Sequence, residues 1–283
     1  MRFGILNLSA VSGALTLVLF GAFAGAYAQG RLEARYSATL AGIPIGGGTW
    51  AIDINESQYT GAMTGSTTGL LRAFTGGQGN ATVRGTLGSG RLPSSVYAAT
   101  VTGRKKADTV RMTINNGNVK DFKVEPPTEE DPERVPITEA SQRGVLDPMT
   151  ASIVRVPGSG DIVVPEACQR TVEVFDGRLR YDMQFAFKRM DKVKAVKGYA
   201  GPVVVCSAYF SPVAGYVPSR AAIKYLSKQR DMEVWLAPIA GTRVLVPYRA
   251  QGPTPIGQAI LEASEFISVP LATRASANGS KTQ

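Results

Sequence analysis

The sequence contains no histidine. This absence excludes Ser-His-Asp and Cys-His nucleophilic systems, histidine zinc sites and the commonest general base near neutral pH. A Ser-x-x-Lys pair, a Gly-x-Ser-x-Gly elbow, a phosphate-binding loop and a dinucleotide fingerprint are absent as well. We therefore expect a protein that is not an enzyme and that has neither a metal site nor a cofactor.

Carboxylates concentrate in one place, a proline-rich segment at residues 126–136. Glu129, Glu130, Asp131 and Glu133 lie within it. Catalytic carboxylates need a fixed separation and partial burial, whereas a proline-rich acidic segment indicates an exposed loop. A carboxylate pair assembled from separate strands, as in a cell-wall glycan hydrolase, stays open as an alternative.

Cysteine is scarce, with only Cys168 and Cys206 in 283 residues. An even number of cysteines in an exported chain predicts a disulfide, and two buried free thiols are the alternative. The bridge would stabilise the fold by about 4 kcal/mol on the chain-entropy model. No Cys-x-x-Cys motif is present, which argues against a thiol catalyst.

Only one long apolar run occurs, and it lies at the N-terminus. Arg2 precedes an uncharged stretch from Phe3 to Ala28 that ends in Ala-Tyr-Ala. Small residues at these positions predict a signal peptide, residues 1–28, cleaved after Ala28. Glycines and alanines dilute the run, which makes an uncleaved anchor the weaker interpretation. We expect a periplasmic protein with no stable membrane span after cleavage.

Negative charge is also in deficit, since 31 Lys and Arg residues outnumber 22 Asp and Glu residues and give a net charge of +9. A basic balance can indicate nucleic acid or an anionic membrane face. Export argues against nucleic acid, so we expect no nucleic-acid partner and interpret the excess charge as a solvated basic surface.

What the sequence has in abundance is alternation of apolar and polar residues with a period of two. The clearest run lies at residues 179–188, where every second residue is apolar. Asn116-Gly117 and Asp176-Gly177 are hairpin dipeptides, and the second joins strands at 171–175 and 178–187. The pattern predicts a mainly β fold, as a sandwich, a barrel or an open curled sheet.

Helical signals are few. Ser219 could begin a short basic helix through Gln229, with Ala222, Ile223 and Leu226 facing inward. Asp147-Pro148 predicts a second helix that ends near Arg155, and residues 254–266 fit either a helix or a strand. We expect one β-rich domain at 29–270, with 126–136 as a loop inside it, and a disordered tail at 271–283.

Large aromatic residues have two interpretations. They can be ordinary core residues, or they can line a cavity for an apolar ligand. The candidate lining residues are Trp50, Tyr181, Phe185, Phe187 and Phe210.

Several motifs, taken in order, resemble a bacterial family. They include the opening at residues 36–46, Asp147-Pro148-Met149-Thr150-Ala151, residues 174–181, Glu233-Val234-Trp235-Leu236 and Val246-Pro247-Tyr248. Together they resemble domain-of-unknown-function family 3108 over about residues 31–267. The resemblance implies an exported protein without an established enzyme activity. It also implies a curled antiparallel sheet (a β-spiral or open barrel) with one or two short helices, like the LolA/LolB lipoprotein carriers and the EipB envelope protein.

Three functions follow as hypotheses. The first is a periplasmic protein of the cell envelope that binds a lipid, a lipoprotein or another envelope component on a concave apolar face. The second is an envelope scaffold that acts through a protein partner. The third and weakest is the carboxylate-based glycan hydrolase. An apolar cavity above about 300 Å³ would favour the first, and a solid core with an exposed apolar patch the second.

Overall fold

The computed structural model describes residues 29–55, 58–68, 77–86, 94–104 and 106–271. The signal peptide at 1–28 and the tail beyond Leu271 lie outside these residues, so both stay predictions. Within the described residues, fifteen strands form a single sheet.

The strands divide into seven before the proline-rich loop and eight after it. Those before it are β1 (Gly30–Leu40), β2 (Ile43–Ile54), β3 (Gln58–Thr67), β4 (Gln78–Thr86), β5 (Ser94–Thr102), β6 (Ala107–Asn115) and β7 (Asn118–Glu125). Those after it are β8 (Val154–Arg155), β9 (Arg170–Phe175), β10 (Arg180–Lys194), β11 (Lys197–Gly198), β12 (Ala200–Ala214), β13 (Met232–Pro238), β14 (Val244–Thr254) and β15 (Gly257–Pro270).

Helical segments are short. The described residues contain two α-helices, α1 (Pro148–Ala151) and α2 (Ala221–Lys228), and two 3₁₀ turns, η1 (Ala140–Gln142) and η2 (Pro165–Cys168).

The strand order is β7-β6-β5-β4-β3-β2-β1-β15-β14-β13-β12-β10-β9, with β8 beside β14 and β11 beside β15. Every pairing along this order is antiparallel. The predicted mainly β fold, an antiparallel sheet with two short helices, is confirmed.

The sheet curls until its two edge strands, β7 and β9, approach each other without pairing. The segment after η1 bridges them, because Val145 N–H donates to Gly117 O (2.7 Å) and Leu146 N–H donates to Glu173 O (2.8 Å). The rings of Phe122 and Phe175 meet edge to face across the same gap, 5.2 Å apart. The molecule is therefore an open barrel whose gap is spanned by a loop and by side chains.

The inner face of the curl holds the main core. Period-two alternation sends one apolar set inward from strands all round the sheet, and these side chains are fully or almost fully buried: Leu32, Ile52, Tyr59, Val205, Val246 and Phe266. We expected a concave apolar face open to a ligand. Large inward side chains fill most of that face instead, because most strands contribute a bulky residue to the same layer. Inward-facing Gly48, Gly65 and Gly79 leave an open cavity of about 760 Å³ at one end, with both polar and apolar walls.

A second apolar layer covers the outer face of β9, β10, β12, β13 and β14. Residues 146–169, which contain α1, β8 and η2, are called the strap below. The strap begins at the gap, where Met149 and Ile153 pack into the main core, and then crosses this outer face. Beneath the strap lie buried side chains of opposite parity to the main core, including Val204, Val234 and Leu236. These strands are thus apolar on both faces, as continuous apolar runs such as 203–206 require.

Both hairpin predictions are confirmed. Asn116 and Gly117 have φ of 49° and 73° between β6 and β7, the left-handed conformation that this dipeptide favours. Asp176 and Gly177 connect β9 to β10, where the Asp176 carboxylate accepts hydrogen bonds from the backbone N–H groups of Arg178 and Leu179.

Helix α1 begins at Pro148 as predicted but ends at Ala151 instead of near Arg155. The chain becomes extended there, because Val154 and Arg155 pair with β14. The ambiguous segment 254–266 is strand, since β15 pairs along its length with β1 and joins the two ends of the described chain.

The basic helix α2 is confirmed, although its cap and orientation differ from the prediction. Its N-cap is Arg220, without a side-chain capping bond, and not Ser219. Ala222 and Leu226 are exposed, and no residue of α2 is buried. The apolar stripe of this helix predicts a buried face, but the helix only rests against β12, which leaves Ile223 half-buried.

The proline-rich segment 126–136 is an extended, largely exposed connection between β7 and η1. Its far end is fixed to the loop after β12, since Val135 N–H donates to Tyr216 O (2.9 Å) and Gly215 N–H donates to Val135 O (2.8 Å). Strands on both sides of it belong to the same sheet.

Candidate functional site

The strap is fixed to the outer face by a disulfide. Cys168 in η2 and Cys206 in β12 are bonded, with Cα atoms 5.3 Å apart, and both residues are fully buried. The predicted pairing is confirmed. The bond fixes the C-terminal end of the strap directly over the middle of the sheet.

The other end of the strap is fixed by the cap of α1. The buried Asp147 carboxylate accepts hydrogen bonds from the N–H groups of Met149 and Thr150, both at 3.0 Å, and from the Thr150 hydroxyl at 2.6 Å. The Thr150 hydroxyl also bonds the buried Tyr59 hydroxyl at 2.7 Å. This chain of bonds connects the strap to the inner core through the gap between the sheet edges.

Between strap and sheet lies an apolar cavity of about 230 Å³. It is lined from the strap by Pro148, Ala151, Ser152, Val154 and Ala167, and from the sheet by Arg170, Val172, Val174, Tyr181, Met183, Phe185, Val234, Leu236 and Pro247. A second cavity of about 380 Å³ adjoins it along the free edge of β9 and shares Val154, Ala167, Arg170 and Val172 as walls. We call the two together the strap pocket.

Arg170, the first residue of β9, is the one cation among the residues that line the smaller cavity. Its Nη2 donates to the Ala151 carbonyl at 3.1 Å, and its guanidinium lies 5.9 Å from the centre of the Phe185 ring. No described carboxylate lies within ion-pair distance of it. Burial lowers the pKa of Arg170 to about 10, so the side chain stays charged at neutral pH.

The structure brings together some of the predicted lining residues. Tyr181 and Phe185 line the strap pocket, and Phe210 packs against Tyr181 with ring centres 5.4 Å apart. Phe187 is 40% exposed and lines a shallow groove beside Phe185 and Arg170. Trp50 does not belong to this group, because it is buried in the inner core on the opposite face.

Sequence reasoning missed Arg170 and the strap. A signal existed, because Arg170 shares a strand face with Val172 and Val174, and a charged residue on an apolar face is unusual. No such signal exists for residues 152–169, because turns and short apolar runs do not indicate which face of a sheet they pack against.

A separate charged cluster lies on the inner-facing side of β10, β13 and β14. Glu233 accepts hydrogen bonds from Lys188 and Arg189, while Asp191 accepts one from the Trp235 indole N–H at 3.0 Å. Burial alone would raise the pKa of Glu233, but the bonds from Lys188 and Arg189 outweigh it and lower that pKa. The bond from Trp235 likewise lowers the pKa of Asp191.

Metal-binding clusters and membrane-spanning helices are both absent from the residues that the structure describes. No three of their histidine, cysteine, aspartate and glutamate side chains are grouped so that they could hold a metal ion. None of their helices is long and apolar enough to cross a membrane.

The fold and the pocket define a class: β-barrel-like proteins with an open, curled antiparallel sheet and a strap fixed by a disulfide. The chain belongs to the family described as "Protein of unknown function (DUF3108)", whose model matches residues 35–264.

Among solved structures, one similar chain is a β-barrel-like protein of domain of unknown function DUF1849 from Brucella abortus. The two share 7% sequence identity with a TM-score of 0.46, and the match covers 86% of this chain and 98% of that one. No curated protein matches the sequence.

Proposed function

We propose that this chain is a non-enzymatic binding protein of the bacterial periplasm that holds an acyl chain of a lipid in the strap pocket. The observation that carries the proposal is the strap pocket, in which an apolar cavity of about 230 Å³, below the expected 300 Å³ by itself, adjoins one of about 380 Å³, with walls fixed by a disulfide and a capped helix. Small-molecule sites are concave, mostly apolar and largely preformed, with a few polar groups at fixed positions.

The compartment is supported by two independent features. A disulfide such as Cys168–Cys206 persists in oxidising compartments and is rare in the bacterial cytoplasm. The N-terminal run that ends at Ala28 predicts export.

The pKa shifts of three described carboxylic acids support the proposal that the protein is not an enzyme. A glycan hydrolase needs one carboxylic acid with a raised pKa beside a second carboxylate. Glu233 and Asp191 share a cluster, but the pKa of each is lowered. Burial raises the pKa of Asp176, yet its carboxylate caps the β9–β10 turn.

The test is native mass spectrometry of protein purified gently from the periplasm, followed by organic extraction. We expect a discrete extra mass that extracts as a lipid. A blocking variant, Ala151→Phe, should lower its occupancy, because Ala151 lines the cavity. Ala222→Phe, on the exposed face of α2, is the matched control and should keep the ligand.

A bare polypeptide at the mass of residues 29–283, less two hydrogens, would contradict lipid binding. An acylated polypeptide as the extra mass would make the ligand a lipoprotein instead.

A second candidate, an envelope scaffold with a protein partner, is favoured by one observation. Ile43 and Ile256 are 66% and 70% exposed at neighbouring hairpins, which are joined where Ala41 N–H donates to Gln258 O at 2.9 Å. Photo-crosslinkers at these two positions in cells should capture one specific envelope protein if this function is correct. Capture of nothing, together with a bound lipid, would reject it.

A further inference from the structure

We infer that the ligand of the strap pocket carries an anionic head group, a carboxylate or a phosphate, that Arg170 binds. The inference rests on the proposed function and extends it, because it names the chemistry of the ligand at the polar end of the same site.

The first argument is position. Arg170 lines the smaller cavity, the larger cavity and the shallow surface groove beside Phe185 and Phe187. It therefore lies where the apolar interior meets the surface. An amphiphile with its chain in the smaller cavity would have its head group at this point.

The second argument is unused hydrogen-bonding capacity. A guanidinium has five N–H donors, and within the described residues Arg170 makes one hydrogen bond, to the Ala151 carbonyl. Its unused donors suit the bidentate geometry that arginine adopts with carboxylate and phosphate groups. Nearby, all three guanidinium nitrogens of Arg243 donate hydrogen bonds, to the carbonyls of Val156, Pro157 and Gly160 at 2.7–3.0 Å.

The third argument is charge. Two other buried or partly buried arginines have acidic partners: Arg180 lies beside Asp182 and Glu173, and Arg249 lies beside Glu262. Arg134 and Arg243 donate to several backbone carbonyls instead. Arg170 has no acidic partner in the described residues, and Glu166, which lines the larger cavity, forms no ion pair with it. A half-buried cation without a partner costs solvation energy that a bound anion would recover.

The test compares matched ligands on the mature, disulfide-bonded chain after removal of any bound lipid. Laurate and dodecanol have the same chain and differ in the head group. Isothermal titration calorimetry should show laurate binding about 10- to 100-fold more tightly, the range of a charge-assisted hydrogen bond. Dodecyl phosphate should behave like laurate, whereas inorganic phosphate alone should bind far more weakly.

The variants assign the effect to one side chain. Arg170→Met should remove the preference for laurate over dodecanol, while Arg170→Lys should retain part of it. Arg111→Met changes the net charge equally at an exposed position on β6 and should leave the preference intact. Because the ligand comparison uses the unmodified protein, it stands even if Arg170→Met does not fold.

Each outcome has one meaning. Equal affinity for laurate and dodecanol would overturn the anionic head group and leave the proposed function intact. A preference for laurate that survives in a folded Arg170→Met variant would overturn the role of Arg170. Binding of neither ligand would contradict the proposed function itself.

Discussion

Glu233 illustrates how single residues acquire properties that their position along the chain does not predict. Its side chain is 9% exposed and contacts both Lys188 and Arg189, which are themselves about 40% exposed. The pair of cations keeps the buried carboxylate ionised, because an opposite charge within hydrogen-bonding distance favours the charged form. Arg170 is the opposite case, a half-buried charge whose partner is absent from the described chain.

We predict a pH-dependent contribution from Glu233. Its pKa in the folded protein lies below the ordinary value of 4.5. The stabilisation is therefore present above about pH 4.5 and is lost as the pH falls through the lower folded pKa. Glu233→Gln should cost roughly 1–2 kcal/mol at pH 7, a figure discounted for the exposure of both cations.

Urea unfolding at pH 7 and at pH 3 checks this prediction, and the difference between Glu233→Gln and the unmodified protein should shrink at the lower pH. Glu130→Gln, in the exposed loop, is the control and should change stability at neither pH. A difference of equal size at both pH values would contradict the role assigned to the carboxylate charge.

At the residue scale, Asp147 also fixes the strap. We predict that Asp147→Ala costs about 2 kcal/mol, the upper end for loss of an N-cap, because it leaves buried donors without acceptors. Asp147→Asn should cost less, since its amide oxygen can still accept the two backbone bonds. Thermal unfolding of both variants checks this order, and equal losses would contradict it.

The strap is the element on which the proposed function depends. It contains one turn of helix, a two-residue strand and one 3₁₀ turn, so its own hydrogen bonds contribute little rigidity. Its placement comes chiefly from the Asp147 cap, the pairing of β8 with β14 and the Cys168–Cys206 disulfide. Bonds from Arg170 and Arg243 to carbonyls of the strap add to these attachments. The pocket walls persist only while these attachments do.

We predict that Cys168→Ser lowers the free energy of unfolding by up to about 4 kcal/mol, the chain-entropy value for a loop of this size. Ligand binding should weaken in the same variant, because one end of the strap is released. Calorimetric unfolding with and without dithiothreitol measures the effect on stability, since reduction should destabilise the unmodified protein and leave Cys168→Ser unchanged. Titration with laurate measures the effect on binding. An unaltered melting temperature in the variant would contradict the prediction.

At the scale of the whole molecule, the open edge of the sheet is the main feature. The antiparallel pairing runs unbroken from β7 to β9 and stops there, and the gap is spanned by Val145, Leu146 and the Phe122–Phe175 contact. Unpaired sheet edges are prone to aggregation unless they are covered. The segment 143–147 supplies that cover and also leads directly into the strap.

We predict that the bridging amides are protected although two of them, those of Val145 and Leu146, lie outside regular strands. The N–H groups of Val145, Leu146 and Phe175 should exchange with solvent at rates close to those of the core strands, because each donates to a backbone carbonyl across the gap. Hydrogen exchange measured by mass spectrometry or NMR checks this. The loop amides at 128–131 are the fast reference, and equal exchange rates in the two segments would mean that the gap opens freely.

The sequence by itself determined the local features of this protein. Strand positions follow from period-two alternation, which reports the two faces of a strand without tertiary context. Both Asx-Gly hairpins follow from the backbone conformations that these residues favour. The disulfide follows from an even cysteine count in a chain whose N-terminus predicts export, and the start of α1 follows from Asp147-Pro148.

Only the tertiary structure decided which faces meet. Alternation shows that Trp50 and Tyr181 each lie on an apolar face, but the curl and register of the whole sheet place one inside the barrel and the other outside. The pairing of β1 with β15 joins residues that lie as far apart in the chain as Gly30 and Pro270, beyond the reach of any local pattern. The strap pocket depends on the same long-range packing, because its walls come from segments that are distant in the sequence. Arg170 becomes partly buried beside Ala151 only when the strap lies over the sheet.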